Sequence, residues 1–458
     1  MSVAIEQGSR AAGVLLHPTS LPSGKLDAGA YRWLDWLAES GFSVWQVLPL
    51  TIPLTGLSPY QCASAFALNP ALFDLASESS LASGKASVQD FEQWYEVSRD
   101  WVDDFALFMV LKQKFAGRSW LDWPDAYRQR DSLALQAFRE QHIAELDHHL
   151  RQQFECWLQW KKLRQYASRL DIRLFGDIPI FVDMDSADVW AHPELFLLDE
   201  NRRPQAVTGV PPDYFSATGQ RWGNPHYDWN RMREDGFAWW RRRLTYNLEF
   251  FDLVRIDHFR GLEAVWKIPV ECETAIEGVW EQVPGDEFLQ TIQDALGSLP
   301  LVAEDLGIIT PEVTALRDKF GLPGMSVLQF AFDHFDDNPH KAHNVTENRV
   351  YYSGTHDNDT SLGWFNALNE GEQQHVRHVL GCGDECDIAD ALLKTVLYSR
   401  AGLAMFPLQD LLRLGSEARM NTPGTVTGNW GWRYDRGMLP DDLSERMREL
   451  IQQAGRLQ

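Results

Sequence analysis

The chain has 458 residues, of which 44% are hydrophobic and 23% charged, a globular composition that excludes disordered, collagen-like and coiled-coil chains. Acidic residues outnumber basic ones 65 to 42, which gives a formal net charge of -23. Because this excess repels phosphate backbones and anionic lipids, we expect neither nucleic acid nor a membrane as a partner. The 19 tryptophans suit stacking on sugars, although such rings also fill protein cores.

The sequence gives no sign of export or of a membrane anchor. No run approaches the roughly 20 apolar residues of a membrane-spanning helix. The apolar run 11–16 is ended by His17 and Pro18, so it is shorter than a signal-peptide core of about 7–15 residues. The five cysteines, an odd number spread along the chain, do not indicate a secreted disulfide framework. We therefore expect a cytoplasmic protein.

One cluster has the spacing of ligands on a helical face. It consists of His375, His378, Cys382 and Cys386. Zinc sites usually pair cysteines about two to four residues apart in loops, with a second pair farther along the chain. A solvated helix followed by a loop explains the cluster better, and we expect no metal ion there.

Short β-rich apolar runs recur along the chain, and most of them end in polar residues. Continuous apolar runs of this length are typical of parallel strands buried on both faces. Eight such runs lie at 11–17, 43–50, 172–181, 253–259, 301–306, 325–332, 349–357 and 402–408.

Helical patterns separate several of these runs. One covers 31–41, with apolar residues on one face and a glycine at its end. Another begins at Thr310 and Pro311 and ends at Gly321. Strand and helix alternating to a count of eight predict an α/β protein with a (β/α)8 TIM barrel.

Two gaps between predicted strands are too long for a single helix. We expect a mainly helical insertion at about 69–171, after the second strand, and a loop-rich insertion at about 190–235, after the third. Both leave from the carboxyl ends of strands, where the active sites of barrels lie. We therefore predict one catalytic domain over 1–458, with insertions that build substrate grooves.

Carboxylates are concentrated at the ends of the predicted strands. Any one of them could cap the helix that follows, which is a common role of aspartate. Capping does not require the cationic or hydrogen-bonding neighbours found here, where Arg255 lies close to Asp257 and His356 precedes Asp357. Asp177 falls within the third predicted strand, Asp257 ends the fourth, Glu304 and Asp305 end the fifth, and Asp357 and Asp359 follow the seventh.

Carboxylates that converge on a neutral ligand suggest chemistry on a glycosidic bond. Cleavage with retention uses one carboxylate as nucleophile and a second as proton donor and later as base. Arg255 would keep Asp257 ionised for the first task, and the apolar neighbours of Glu304 would keep it protonated for the second.

A dozen short motifs occur in order between residues 17 and 433. They are HPTSLPS from His17, WQVLPL from Trp45, SPYQ from Ser58, FGDIPIFV from Phe175, DSADVWAHPELF from Asp185, GVPPDYFSATGQRWGNP from Gly209, RIDHFRG from Arg255, AEDLG from Ala303, PGM from Pro323, GTHDND from Gly354, PGT from Pro423 and NWGWR from Asn429. In these motifs the chain closely resembles the bacterial 4-α-glucanotransferases of glycoside hydrolase family 77, also called amylomaltases or disproportionating enzymes.

The resemblance implies a glycosyltransferase that moves α-1,4-glucan segments from malto-oligosaccharides and longer donors to the 4-hydroxyl of an acceptor glucan or glucose. It implies a retaining double displacement with no cofactor and no metal. It identifies Asp257 as the nucleophile, Glu304 as the general acid/base, and Asp357 as the carboxylate that binds hydroxyls of the distorted ring.

The resemblance also implies residues that bind the substrate. Those expected around the sugars are Ser58, Tyr60, Asp177, Arg255 and His356, and the flap at 209–225 carries Asp213, Gln220 and Trp222. Closure of such a flap over the glucan would exclude water and favour transfer to a sugar hydroxyl.

Two loops depart from the family pattern near the donor subsites. Residues 24–29 are GKLDAG, where members usually have a longer glycine-rich turn, and the loop from Thr51 also differs from the usual glycine-rich version.

Two alternatives remain open. A hydrolase of the related α-amylase clan would use the same three carboxylates and pass the intermediate to water. A silent glucan-binding protein on the same barrel would usually lack a carboxylate, and Asp257, Glu304 and Asp357 are all present.

Overall fold

We describe the protein from a computed structural model, over residues 10–54, 56–75, 86–212, 216–383, 385–425 and 427–458. Its strands are short: β1 Ala11–Leu15, β2 Val44–Gln46, β3 Arg173–Pro179, β4 Ala206–Val210, β5 Gln220–Pro225, β6 Leu253–Asp257, β7 Ala264–Pro269, β8 Val279–Gln282, β9 Leu301–Ala303, β10 Gly324–Val327, β11 Arg349–Tyr352 and β12 Leu403–Pro407.

Eight of these strands form one parallel sheet in the order β10-β11-β12-β1-β2-β3-β6-β9. The backbone N–H of Ala303 donates to the carbonyl of Pro323 at 2.8 Å, which brings the end strand β9 against β10. The sheet is thus a (β/α)8 TIM barrel, as predicted, and each predicted run overlaps one barrel strand. The strands are shorter than the runs because the chain leaves the ladder early and turns into the loops at their carboxyl ends.

The helices between and beyond the strands are mostly amphipathic. They are α1 Ala28–Glu39, α2 Val88–Lys114, α3 Asp125–Arg128, α4 Ser132–Gln141, α5 Ile143–Arg169, α6 Ala187–Ala191, α7 Trp229–Glu234, α8 Ala238–Phe250, α9 Gly285–Leu296, α10 Pro311–Lys319, α11 Ser361–Ala367, α12 Glu370–Val379, α13 Ile388–Tyr398, α14 Leu408–Leu411 and α15 Leu443–Gln453.

The two helices predicted from punctuation are both present. The helix α1 begins after Asp27, whose carboxylate accepts from the backbone N–H of Gly29 at 2.6 Å, and it ends shortly before Gly41. The helix α10 begins at Pro311 and ends shortly before Gly321, whose φ of +64° places it in the left-handed region. A proline at the start and a glycine past the end are therefore valid signals in this chain.

The segment between β2 and β3 contains helices α2 to α5. The longest two, α2 and α5, pack against each other through Trp94, Val102 and Phe154, which are buried. The pair is attached to the rest of the barrel through α5, where Trp160 donates its indole N–H to the carbonyl of Phe250, at the end of α8, at 3.1 Å.

The prediction that 190–235 is loop was wrong in part. This segment contributes β4 and β5 to a separate four-stranded antiparallel sheet in the order β5-β4-β7-β8. The other two strands of this sheet, β7 and β8, follow the fourth barrel strand and were not predicted. The strands contain glycine, proline and charged residues, and β8 is exposed throughout, so they lack the apolar continuity that marks the barrel strands.

Three further findings concern a disulfide, metal ligands and membrane-spanning helices. Cys382 and Cys386 are joined by a disulfide in the loop after α12, a bond that the sequence analysis did not predict. Over the described ranges, no group of three or more His, Cys, Asp or Glu side chains is placed to hold a metal ion. Within the same ranges no helix has the length and apolarity needed to span a membrane.

Candidate active site

The strands β3 and β6 place three charged side chains at the carboxyl end of the barrel. Their parallel register pairs Asp177 with Arg255 and Pro179 with Asp257. Because side chains alternate along a strand, Arg255 and Asp257 lie two residues apart on the same face. The guanidinium of Arg255 thereby comes between two carboxylates from neighbouring strands.

Arg255 contacts both carboxylates directly. Its Nη1 donates to Asp177 Oδ1 at 2.9 Å and Oδ2 at 2.7 Å, and its Nη2 donates to Asp257 Oδ1 at 2.6 Å. Burial lowers the pKa of Arg255, but the charges of Asp177 and Asp257 outweigh that effect and raise it well above its ordinary value. The guanidinium therefore stays charged beside Asp257, whose side chain remains 30% exposed toward a ligand.

Asp177 differs from Asp257 in being completely enclosed. Its side chain has no exposed surface, and burial raises its pKa, although Arg255 opposes the rise. Asp177 therefore orients Arg255 from inside the barrel. Of the two carboxylates bonded to Arg255, Asp257 is the one that a substrate can reach.

Glu304 follows β9 and lies next to the same group. Its carboxylate accepts from the backbone N–H of His258 at 2.8 Å and of Leu306 at 3.1 Å. Burial raises its pKa to about 8, although Arg255 opposes the rise. The carboxyl group of Glu304 is thus protonated near neutral pH, whereas its neighbour Asp257 is paired with a cation.

The residue after Asp257 has an unusual backbone. His258 has φ 53° and ψ 51°, a left-handed conformation that few residues other than glycine adopt. This turn directs the N–H of His258 to Glu304, and the next N–H, that of Phe259, to the carbonyl of Glu304 at 3.1 Å. Burial also lowers the pKa of the His258 ring to about 4, so the ring is neutral.

Asp357 reaches the site from the loop after β11. Its Oδ1 accepts from Nδ2 of Asn421 at 2.6 Å, and its Oδ2 lies 3.4 Å from Nε2 of His356. Arg419 donates through Nη2 to the carbonyl of Asp357 at 2.7 Å and through Nε to the carbonyl of Asn421 at 2.8 Å. Asn421 and Arg419 were not predicted, since the motifs used for the resemblance begin again only at Pro423.

Tyr60 connects the strand ends with this loop. Its Oη donates to Asp177 Oδ2 at 2.5 Å and lies 3.0 Å from Nε2 of His356. Its ring stacks on that of His356 at 5.4 Å between centroids, and Trp430 packs against both rings. A continuous set of contacts therefore runs from Asp257 through Arg255, Asp177, Tyr60 and His356 to Asp357.

Two aromatic or imidazole neighbours of this set were missed as site residues. His17 lies beside His356, and burial followed by the charge of His356 lowers its pKa to about 3. Trp430 packs on Tyr60 as described above. Both residues stand in motifs quoted for the resemblance, HPTSLPS and NWGWR, so the signal was available but carried no role for either side chain.

The predicted substrate residues on loops are placed less tightly. The ring of Trp222, on β5, meets that of His258 at 4.8 Å and nearly at right angles, and its Nε1 donates to Oε1 of Gln220 at 3.1 Å. Ser58 is partly buried two residues before Tyr60. Within the described residues, no hydrogen bond links Ser58 or Gln220 to the carboxylates. Asp213 lies outside the described residues.

Comparisons with known proteins show similarity over almost the whole chain. A family model described as 4-alpha-glucanotransferase, Glyco_hydro_77, matches residues 15–86 and 77–439. Two curated relatives called 4-alpha-glucanotransferase, from Synechocystis and from Thermus thermophilus, are each 45% identical to the chain. The alignments run over 495 and 496 residues and cover 98% of this chain and 98% and 99% of those proteins.

A solved structure is similar over the full length. The amylomaltase from Streptococcus agalactiae, in complex with acarbose, superposes with a TM-score of 0.93 at 33% sequence identity. The match covers 98% of this chain and 100% of that one.

Proposed function

The chain belongs to the 4-alpha-glucanotransferase family, glycoside hydrolase family 77, and on that premise we propose that Asp257, Glu304 and Asp357 carry out its reaction. The reaction is the transfer of α-1,4-glucan segments from a donor to an acceptor glucan by a retaining double displacement. The proposal is supported chiefly by one observation. Asp257 and Glu304 are neighbours in different environments: the first is bonded to a cation, and the second is partly buried and has a raised pKa.

In the first displacement, a carboxylate oxygen of Asp257 attacks the anomeric carbon of the donor while the glycosidic bond breaks. Arg255 donates to Asp257 at 2.6 Å, which orients the nucleophile and places a positive charge beside it. Glu304 gives its proton to the leaving 4-oxygen, so the released glucan departs as a neutral alcohol. The product of this half is a β-linked glycosyl ester on Asp257.

In the second displacement, the acceptor 4-hydroxyl attacks the same carbon from the side that the leaving group vacated. Glu304, now a carboxylate, takes the proton of that hydroxyl as the ester bond to Asp257 breaks. Two inversions leave the new bond in the α configuration, and Glu304 is protonated again for the next cycle.

The remaining predicted residues bind and orient the sugar at the cleavage point. Asp357 would accept hydrogen bonds from ring hydroxyls of the distorted sugar, with its orientation held by Asn421. The residues expected around the same sugar are Ser58, Tyr60, Asp177, Arg255 and His356, and those expected on the flap are Asp213, Gln220 and Trp222. The contact of Trp222 with His258 supports a flap that closes next to the nucleophile.

We also propose malto-oligosaccharides as donors, glucose and short glucans as acceptors, and the cytoplasm as the location. The net charge of -23 supports a neutral ligand and disfavours nucleic acid and anionic membranes as partners. The free thiols of Cys62, Cys156 and Cys272 favour a reducing compartment, whereas the disulfide between Cys382 and Cys386 counts against one.

Incubation with maltotriose tests the proposed donor and acceptors. Transfer yields glucose and a ladder of longer oligomers at a constant number of reducing ends. A steady rise in reducing ends would indicate that water takes the glycosyl group, as in the hydrolases of the α-amylase clan.

Replacement of Asp257 tests the assignment of the nucleophile. Asp257→Ala should abolish turnover while the variant still binds malto-oligosaccharides in calorimetry. The matched control is Asp252→Ala, which removes the carboxylate just before the same strand β6, at the opposite end of the barrel, where it accepts from Leu174 N–H at 2.9 Å. Full activity of Asp257→Ala would refute the assignment.

A further inference from the structure

A buried carboxylate outside the three proposed catalytic ones lies behind the loop that carries Asp357. Asp410, in α14 after the last barrel strand, is almost entirely buried. Its Oδ2 accepts from the hydroxyl of Ser353 at 2.6 Å and from that of Ser361 at 2.7 Å, and its Oδ1 accepts from the backbone N–H of Ser361 at 2.7 Å. All three donors are uncharged, and burial raises the pKa of this carboxyl.

The two serines are the ends of one segment. Ser353 directly follows β11, Ser361 is the first residue of α11, and the residues between them include His356 and Asp357. The segment 353–361, which we call the Asp357 loop, thus starts and finishes on the same carboxylate. Asp410 reaches both ends from α14, which directly follows β12, because β11 and β12 are hydrogen-bonded side by side.

Apart from the backbone N–H of Ser353, which donates to the carbonyl of Met405 at 3.2 Å, the other contacts hold the middle of the Asp357 loop. Arg419 donates to the carbonyl of Asp357, and Gln329 donates through Nε2 to the carbonyl of Asp359 at 2.8 Å. Inside the loop, Oδ1 of Asn358 accepts from the N–H and the hydroxyl of Thr355, both at 2.9 Å. These bonds shape the turn, but its position relative to the barrel depends on how its two ends are held.

We propose that Asp410 is a positioning residue for glucan transfer: it holds both ends of the Asp357 loop and thereby sets Asp357 opposite Asp257. This inference rests on the proposed role of Asp357. Asp410 does not touch the substrate; it acts through Asp357 and His356. Displacement of a reacting group by about 1 Å can cost about 100-fold in rate, so loss of this support should be visible in turnover.

Three variants separate positioning from stability. Asp410→Ala removes all three acceptor contacts and should lower kcat on maltotriose by about 10–100-fold, with KM changed by less than about threefold, since Asp357 acts mainly in the transition state. Asp410→Asn keeps one oxygen for the N–H of Ser361 and gives an amide that can donate to both hydroxyl oxygens, so it should recover most of the rate. Asp252→Ala should lower the thermal midpoint and leave kcat unchanged.

A kinetic cycle shows whether Asp410 works through Asp357. Fluoride release from an α-maltosyl fluoride donor, whose leaving group needs no proton, keeps slow variants measurable. Asp410→Ala should slow this release in the wild-type background and cause no further loss in the Asp357→Ala background. If Asp410→Ala does not fold, Ser353→Ala replaces it in the same cycle.

The outcomes distinguish a failure of the positioning role from a failure of the proposed function. Equal losses in both backgrounds, or an Asn variant as slow as the Ala variant, would overturn the positioning role. Normal kcat in Asp410→Ala together with an inactive Asp357→Ala would refute this inference alone. Full activity of Asp357→Ala would refute the proposed function on which it rests.

Discussion

The two sides of the candidate active site hold their carboxylates by different means. On one side, Asp257 ends β6 and Glu304 immediately follows β9, so strand register and the backbone place them. On the other side, Asp357 stands on a loop that is hydrogen-bonded to residues much later in the chain: Asn421 donates to Asp357 itself, and Asp410 accepts from Ser353 at the start of the loop. A carboxylate at a strand end is thus positioned mainly by the sheet, whereas a carboxylate on a loop depends on contacts with residues far away in the sequence.

Of the three effects that test this comparison, the largest is expected on the strand side, from Glu304→Gln. Below a pH of about 8 the carboxyl of Glu304 holds its proton and can donate it; as the pH rises through about 8 the proton is lost. We therefore expect kcat/KM on maltotriose to fall along an alkaline limb near pH 8, and Glu304→Gln to lower it by about 100- to 10,000-fold.

Two measurements sharpen this prediction. The initial burst of fluoride from α-maltosyl fluoride, which forms the ester on Asp257 without a proton donor, should be affected far less than maltotriose turnover. Glu312→Gln, at an exposed glutamate of α10, serves as the control and should leave the pH profile unchanged. A wild-type profile that stays flat to pH 9.5 would contradict the role of Glu304 as proton donor.

The second effect tests whether the strand side depends on Arg255. Arg255→Ala leaves Asp177 buried without its cation, and urea unfolding at pH 7 should show a loss of about 3–5 kcal/mol. The deficit should shrink at pH 5, because Asp177 can then take up a proton and lose its charge. Arg413→Ala is the matched control, since Arg413 also bridges two aspartates but is 37% exposed, and it should cost only about 0–1 kcal/mol. If Arg255→Ala and Arg413→Ala lose the same free energy of unfolding, the strand side does not depend specifically on Arg255.

The smallest effect concerns the bond between the two sides. Tyr60→Phe removes the hydroxyl that contacts Asp177 and His356 but keeps the ring stacked on His356. We expect kcat/KM on maltotriose to fall about 10-fold, the equivalent of one hydrogen bond to a charged group. Tyr166→Phe removes a similar bond to Asp35, at 2.6 Å and away from the site, and should change the rate by less than about twofold. A loss above about 1,000-fold would mean that the two sides do not hold their positions independently.

The barrel could be predicted from sequence because burial on both faces leaves a local mark. Each barrel strand lies in a continuous apolar run, and the helices α1 and α10 end near glycines at Gly41 and Gly321. The antiparallel sheet leaves no such mark, because β5 and β8 are partly or fully exposed and because β4, β5 and β7 contain glycine or proline.

The same distinction holds within the site. The contact of Arg255 with Asp257, two residues away on the same strand face, could be expected from spacing and is present at 2.6 Å. The second partner, Asp177, is 78 residues away and meets Arg255 only through the register of β3 with β6. No periodicity marks Asn421, Arg419 or Asp410, because their contacts with the Asp357 loop depend on how loops fold over the end of the barrel.

The left-handed turn at His258 has a consequence for how this chain can vary. The path from Asp257 to Glu304 consists of one peptide unit and one N–H bond of 2.8 Å, without any rotatable side chain of a third residue. The spacing of the proposed nucleophile and acid therefore depends on the backbone turn at His258 and on the side-chain torsions of Asp257 and Glu304 themselves. Changes in the flap or in the shortened turn at 24–29 can alter which glucans are accepted while this spacing is preserved.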